Sequence, residues 1–138
     1  MLEKLCSKLL VDAELAPQDP VRPHIDAETR LAPGREIYHI DYLAFLCLAY
    51  TDHVPIDEED LLSSKVGNIV VAYTVWSNKR GLGRKIILDI YKTIQNTQRF
   101  NRLVTLSPKT EMAMKFHLSN GAKLISENPL SNNFEYFL

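Results

Sequence analysis

Cysteine is nearly absent: Cys6 and Cys47 are the only two in 138 residues. Two thiols do not make a disulfide framework. Cys6 falls on the apolar stripe of an expected helix and Cys47 within an apolar run. Both read as small buried hydrophobes, which suits a reducing compartment. No basic, then apolar, then small-residue pattern opens the chain, so no secretion signal is read there. No apolar run approaches the roughly 18 residues that span a bilayer, so no membrane partner is expected. The expected location is the cytoplasm. An excess of one charge is also lacking, since 16 Lys and Arg face 17 Asp and Glu for a net charge of -1. That argues against a protein whose main business is coating nucleic acid. There is no internal repeat, no Gly-x-Ser-x-Gly elbow and no Gly-Lys-Ser/Thr of a P-loop. His24, His39, His53 and His117 show no metal-ligand spacing and neither cysteine has a second ligand near it, so no metal is expected.

What is present is the composition of an ordinary globular domain, 46% hydrophobic and 24% charged. A chain this long buries about two-thirds of its unfolded surface without a covalent staple. Apolar residues at Leu2, Leu5, Cys6, Leu9, Leu10 and Ala13 have the spacing of one helical face and predict a helix over Leu2 to Ala13. That helix is expected to pack on the domain or on a second subunit of a homodimer. Pro17, Pro20, Pro23 and Pro33, four of the seven prolines, then predict an irregular arm that ends at a Pro33-Gly34 turn.

Strands are expected over Glu36 to Tyr42, by alternation, and over Ala44 to Tyr50, which is apolar on both faces. Asp57 to Leu62 reads as a short acidic helix, Val66 to Asn68 as a turn, and Ile69 to Trp76 as a strong strand. Arg84 to Gln95 has the apolar face of a helix, and Leu103 to Leu106 is a short strand. A further helix is expected from Ser107-Pro108 to Asn120, stopped by Gly121. Lys123 to Ile125 and Phe134 to Leu138 close the chain as strands. Residues 1–138 are thus expected to form one mixed α/β domain, with the helix and proline-rich arm occupying 1–35.

The segment most suggestive of chemistry runs from Val75 to Ile87. A buried strand enters Asn78-Lys79-Arg80-Gly81-Leu82-Gly83-Arg84-Lys85 and leaves as an amphipathic helix. Glycines allow a tight turn and close approach of backbone to a ligand. A helix start offers unpaired N–H groups to an anion, and Lys79, Arg80, Arg84 and Lys85 add positive charge at that point. The pattern lacks the third glycine of a dinucleotide fold. On physics alone, a pyrophosphate site and a plain charged turn both remain open.

This turn resembles that of the GNAT superfamily of acyl-CoA-dependent N-acetyltransferases: Gln or Arg, any two residues, Gly, any residue, then Gly or Ala. Asn78 to Gly83 matches except at its first position. A second family segment is similar to Thr110 to Ala122, which keeps Ala113, an apolar Phe116 and Gly121. The likeness covers Ile69 to Leu138, about half the chain. It implies a central, largely antiparallel mixed sheet flanked by helices. It also implies acetyl-CoA as cosubstrate and transfer of the acetyl group to a primary amine.

By the same resemblance, Tyr73 and Val75 would align the pantetheine arm, and Asn78, Lys79, Arg80, Gly81, Leu82, Gly83 and Arg84 would cradle the pyrophosphate. His117 stands in the slot of the tyrosine that protonates the leaving thiolate, and histidine is able to carry a proton near neutral pH. Thr110 stands where asparagine is common. No acid lies on Ile69 to Trp76, so Asp52 and His53, just past a strand end, are the candidates for the general base. Glu58, Glu59 and Asp60 are either a solvated helix face or an attractor of a cationic amine. Two rivals stand beside the transferase: a GNAT-like acyl-CoA binder without activity, and an interaction protein that uses the fold without coenzyme A. The acceptor site in this family is built mostly by the N-terminal half, where the resemblance fails.

Overall fold

A computed structural model describes residues 2–5 and 18–138. In chain order the elements are β1 (Leu2–Leu5), α1 (Ala27–Arg30), β2 (Arg35–Ile40), β3 (Ala44–Thr51), α2 (Glu58–Ser63) and β4 (Ile69–Ser77). They continue with α3 (Leu82–Thr97), β5 (Arg102–Thr105), α4 (Glu111–Ser119), β6 (Lys123–Glu127) and β7 (Asn132–Tyr136). The strands form one seven-stranded sheet of order β1-β2-β3-β4-β5-β7-β6. All neighbours are antiparallel except β4 and β5, which run parallel. The mixed, largely antiparallel sheet flanked by helices is the expected fold class.

Side chains alternate across a strand, and here both faces are covered. On one face Phe45, Cys47, Val71, Tyr73 and Trp76 pack under Ile25, Ala27 and Leu61, which come from the arm, α1 and α2. On the other, Leu46, Leu48, Val70 and Ala72 pack under Ile86, Ile87, Ile90 and Ile94 of α3. That double coverage is why β3 is buried almost throughout, as its sequence led one to expect, and why Cys47 is fully buried with a free thiol.

Three expectations are corrected. Leu2 to Leu5 is not helical: it pairs with β2, Leu2 opposite Ile40 and Leu5 opposite Ile37. An apolar spacing of three, read as one helical face, in a strand puts its two residues on opposite faces. Leu5 joins one core and Leu2 packs against the other. The rest of that expected helix, Cys6 included, lies outside the described residues. The arm, expected to be irregular, contains the one-turn helix α1, capped by the Asp26 carboxylate accepting from the Thr29 N–H. The helix expected from Ser107 begins only at Glu111, because the backbone of Ser107 is already used. Its N–H donates to Asn132 and its carbonyl accepts from Asn132, both at 2.9 Å. Thr110 caps the helix instead, its hydroxyl accepting from the Ala113 N–H.

Two irregularities of β4 open a gap in the sheet. Cys47 pairs with Thr74 and Leu48 with Ala72, so Tyr73 is an extra residue, a β-bulge. On the opposite edge, β4 pairs with β5 only from Ile69 to Ala72. After Leu106 donates to Ala72 O, the chain swings towards β7. The two parallel strands therefore part, and the edge of Tyr73 to Ser77 that faces β5 has no strand partner among the described residues.

Candidate active site

A cavity of about 660 Å³ fills the gap where β4 and β5 part. Its walls include Tyr73, Val75, Trp76 and Ser77 from β4, Gly83 from α3, and Ala113, Phe116 and His117 from α4. Pro20 and Val21 of the arm also line it. Because Trp76 belongs to one core and Val75 and Phe116 pack on the other, the cavity passes through the plane of the sheet. A ligand lying in it reaches both faces of the molecule.

The bulge sets the phase of the wall. Val71 and Tyr73 face the arm before it, and Thr74 and Trp76 do so after it. The Thr74 hydroxyl donates to Asp19 Oδ1 at 2.9 Å. That carboxylate also accepts the N–H groups of Val21 and Arg22 and pairs with Arg30 at 3.0 Å. Both partners of the ion pair are sealed, at 1% and 0% side-chain exposure. The Arg30 guanidinium is further held by Ile25 O and Arg22 O. This clamp presses Pro20 and Val21 against the cavity. The Tyr73 hydroxyl has the Cys47 thiol beside it and the Trp76 indole N–H has no partner among the described residues, and both atoms are sealed from the cavity. They are not ligand donors. Burial, with the Cys47 thiol alongside, holds the Tyr73 phenol well above its usual range.

His117 lines the cavity and is 6% exposed. Its Nδ1 lies 2.8 Å from the Tyr136 hydroxyl, and its ring stacks on Phe134 with centroids 5.1 Å apart. Nε2 has no partner among the described residues and is not one of the sealed polar atoms, so it opens on the cavity. Burial lowers the His117 pKa to about 4. The ring is therefore neutral near pH 7, and an imidazolium acid, the form that a proton-carrying role calls for, is absent there.

The glycine turn stands at the mouth. Gly81 has φ +87°, a left-handed conformation that favours glycine, and a Cβ there would meet nothing within 4 Å. No side chain of a described residue caps the first turn of α3. Lys79, Arg80 and Arg84 are exposed and form no ion pair with a described residue, whereas Lys85 pairs with Asp89 at 2.9 Å. Asn78 is spent on structure: its N–H donates to Leu43 O, and its amide donates to the Gln18 side chain. Of the residues expected to hold a cofactor, Tyr73, Val75 and Gly83 line the cavity. Asn78, Lys79, Arg80, Gly81, Leu82 and Arg84 lie in or beside the turn that joins two of its lining residues, Ser77 and Gly83.

Asp52 and His53 are not brought to this place. Thr51 pairs with Ile69, at the far end of β4 from the cavity, roughly 20 Å from Trp76 at the rise of a strand. There His53 bridges Asp52 at 2.8 Å and Asp60 at 2.7 Å. Glu58 is engaged by Arg22 and His24, and Asp60 by His53 and the Ile56 N–H. None of the acidic trio lines the cavity, and neither does any other described carboxylate. Sequence reasoning missed Asp19, Arg30 and Tyr136. Asp19 and Arg30 sit in a proline-broken stretch without periodicity, and no local signal links Tyr136 to a residue 19 positions earlier. Among the described residues no group of three or more His, Cys, Asp or Glu is placed to hold a metal, and no helix is long and apolar enough to cross a membrane.

No family model and no curated protein matches the sequence. Solved structures do match the fold. A malonyl-CoA decarboxylase from Agrobacterium vitis superposes with a TM-score of 0.74 at 15% identity, over 100% of this chain and 60% of that one. This chain thus spans less than two-thirds of that protein's length. The loading GNATL domain of CurA from Lyngbya majuscula has a TM-score of 0.70 at 13% identity, over 99% and 98% of the two chains. An acetyltransferase from Bacillus subtilis, solved in complex with CoA, has 0.68 at 12% identity, over 99% and 97%. The chain has the GNAT fold, and its neighbours in structure include malonyl-CoA decarboxylases and acetyltransferases, one of them solved with CoA.

Proposed function

We propose that the cavity binds an acyl-CoA and that the chain transfers the acyl group, acetyl in the simplest case, to a primary amine. The observation that supports this most is the through-sheet cavity, with a basic helix start that no described side chain caps at its mouth and the open Nε2 of His117 on its wall. The phosphates would lie on the Gly81 to Gly83 turn, and the pantetheine arm along the unpaired edge from Tyr73 to Ser77. The amine, approaching from the arm side, forms the C–N bond as the C–S bond breaks. The proton that nitrogen loses ends on sulfur. Neutral His117 donates a hydrogen bond to the negative charge that develops and keeps its own proton. No described carboxylate lines the wall to take a proton from the amine, and in this reading the amine arrives already neutral.

The neutral His117 on the wall also fits a second reading, decarboxylation of a malonyl-type thioester. There the bond between the α-carbon and its carboxylate breaks and CO2 leaves. The electron pair passes into the thioester enolate, and water protonates the carbon. A neutral donor facing the enolate oxygen is what this step asks of a site, and several of the neighbours in structure are malonyl-CoA decarboxylases.

One experiment separates the readings. The protein is incubated with acetyl-CoA and a panel of primary amines, and separately with malonyl-CoA alone, while free thiol and CO2 are followed. Thiol released only when amine is present marks the transferase. CO2 released with the thioester intact marks the decarboxylase. Binding with neither product removes both readings and leaves an acyl-CoA binder. In whichever reaction is seen, His117→Phe is expected to lower kcat about 10²–10³-fold, the usual loss of one such donor, with CoA affinity nearly unchanged. Full activity in a folded His117→Phe protein removes His117 from the mechanism.

A further inference from the structure

Tyr136 has no task in either reaction. It lies on β7, 1% exposed, with its ring edge-on to that of His117 and tilted against that of Tyr91. Its hydroxyl is 2.8 Å from His117 Nδ1, and which of the two groups donates decides what the histidine shows to the cavity. If Nδ1–H donated, the phenol proton would need another acceptor, and a buried O–H without one costs about 1–3 kcal/mol. No described residue takes it: Asn120, beside the phenol, acts on it as a hydrogen-bond donor that favours the phenolate, so its amide faces the phenol oxygen with N–H and not with its carbonyl. The other polar group acting on Tyr136 is the Arg84 guanidinium, which brings positive charge and no acceptor. The phenol does not dissociate near neutral pH, since burial pushes its pKa up to about 12.

We infer that Tyr136 is a positioning residue whose O–H, donated to Nδ1, holds neutral His117 in the tautomer with its proton on Nε2. The ring then offers the cavity a fixed N–H donor and no base. Phe134 stacked on one side and Phe116 edge-on hold the plane of the imidazole, so the direction of that N–H is set as well. The complementary ligand group is an electron-rich oxygen or sulfur: the carbonyl oxygen of a thioester, its enolate, or the departing thiolate. The assignment of a ligand rests on the acyl-CoA reading, whereas the tautomer itself does not.

The test is therefore made first without substrate. The full chain is labelled with 15N, and long-range proton–nitrogen spectra of its histidine rings are recorded near pH 7, with His117→Gln identifying the His117 signals. The parent should show one tautomer, protonated on Nε2. Tyr136→Phe keeps the ring and its packing while removing the O–H, and it should show a mixture of both tautomers. A parent protonated on Nδ1 overturns the inference whatever the variant does. So does a Tyr136→Phe protein that folds and keeps the single Nε2–H form. In the active reaction Tyr136→Phe should lower kcat about 10–100-fold, the scale seen when an orienting partner is lost, and leave the CoA dissociation constant unchanged. If neither reaction is found, the spectra still decide the tautomer.

Discussion

Two histidines titrate in opposite senses, and each does so because of a few neighbouring atoms. His117 is neutral when folded because burial lowers its pKa to about 4, while the unfolded chain takes up that proton near 6.5. Between those values the unfolded state binds more protons than the native one. The His117 contribution is therefore fully present above pH 6.5 and is lost as pH falls towards 4, a change of roughly 3 kcal/mol for a shift of this size. His53 is the reverse case. Its hydrogen bonds to Asp60 and Asp52 raise its pKa, so its contribution is present below the unfolded value and disappears as pH rises through the raised one. Both carboxylates and the imidazole are substantially exposed, which keeps this effect small and salt-sensitive. Urea unfolding across pH 4–8 should show that His117→Phe flattens the acid side of the stability profile and that His53→Gln removes a shallow decline on the neutral side. An acid limb equally steep in parent and His117→Phe would show that the imidazole is not buried neutral.

At the scale of elements, the arm is held by one buried ion pair. Asp19→Ala would strand the Arg30 guanidinium, 1% exposed, among Ile25 O, Arg22 O and Cys47. Leaving one partner of a buried pair costs about 3–5 kcal/mol, a large share of the roughly 5–15 kcal/mol that holds a typical domain together. Asp19→Ala with Arg30→Met should regain part of that loss, because no buried charge remains. If the double variant is no better than the single one, the desolvated charge is not what costs. Nothing in the sequence announced this pair, whose partners are 11 residues apart in a stretch without periodicity. Other elements were legible for a plain reason. The β-branched run of β4, the double-sided apolar run of β3 and the isoleucine face of α3 each satisfy their burial by their own pattern. Where a neighbour decides, pattern fails. Leu2 to Leu5 is a strand because β2 offers an edge, and α4 starts late because Asn132 has taken the backbone of Ser107. The site divides in the same way. The glycine turn and His117 were visible as residues, but Tyr136 comes from β7 and the bulge at Tyr73 from a register that only the assembled sheet defines.

At the scale of the whole molecule, the cavity lies between two cores that otherwise meet only through the sheet. A ligand that fills it touches β4, α3, α4 and the arm together, and global unfolding must release it. Binding to the native state alone stabilises by about 2.7 kcal/mol at ligand 100-fold above Kd, which for a chain of this size raises Tm by about 10 °C. Coenzyme A should produce such a shift, and the shift should shrink as salt rises, because the charges at the mouth are exposed and screened. Pantetheine, which has the arm without the phosphates, should need a much higher concentration for the same effect. Gly81→Glu should abolish the coenzyme A shift. The left-handed φ of +87° is unfavourable for a residue with a Cβ, and the new carboxylate repels the pyrophosphate. The variant's own Tm measures the backbone strain separately, so the loss of the ligand shift can be told from a loss of stability. If millimolar coenzyme A leaves the parent Tm unmoved, or Gly81→Glu responds as the parent does, the turn is only a charged corner between β4 and α3. That outcome would favour the rival in which the fold serves an interaction without coenzyme A.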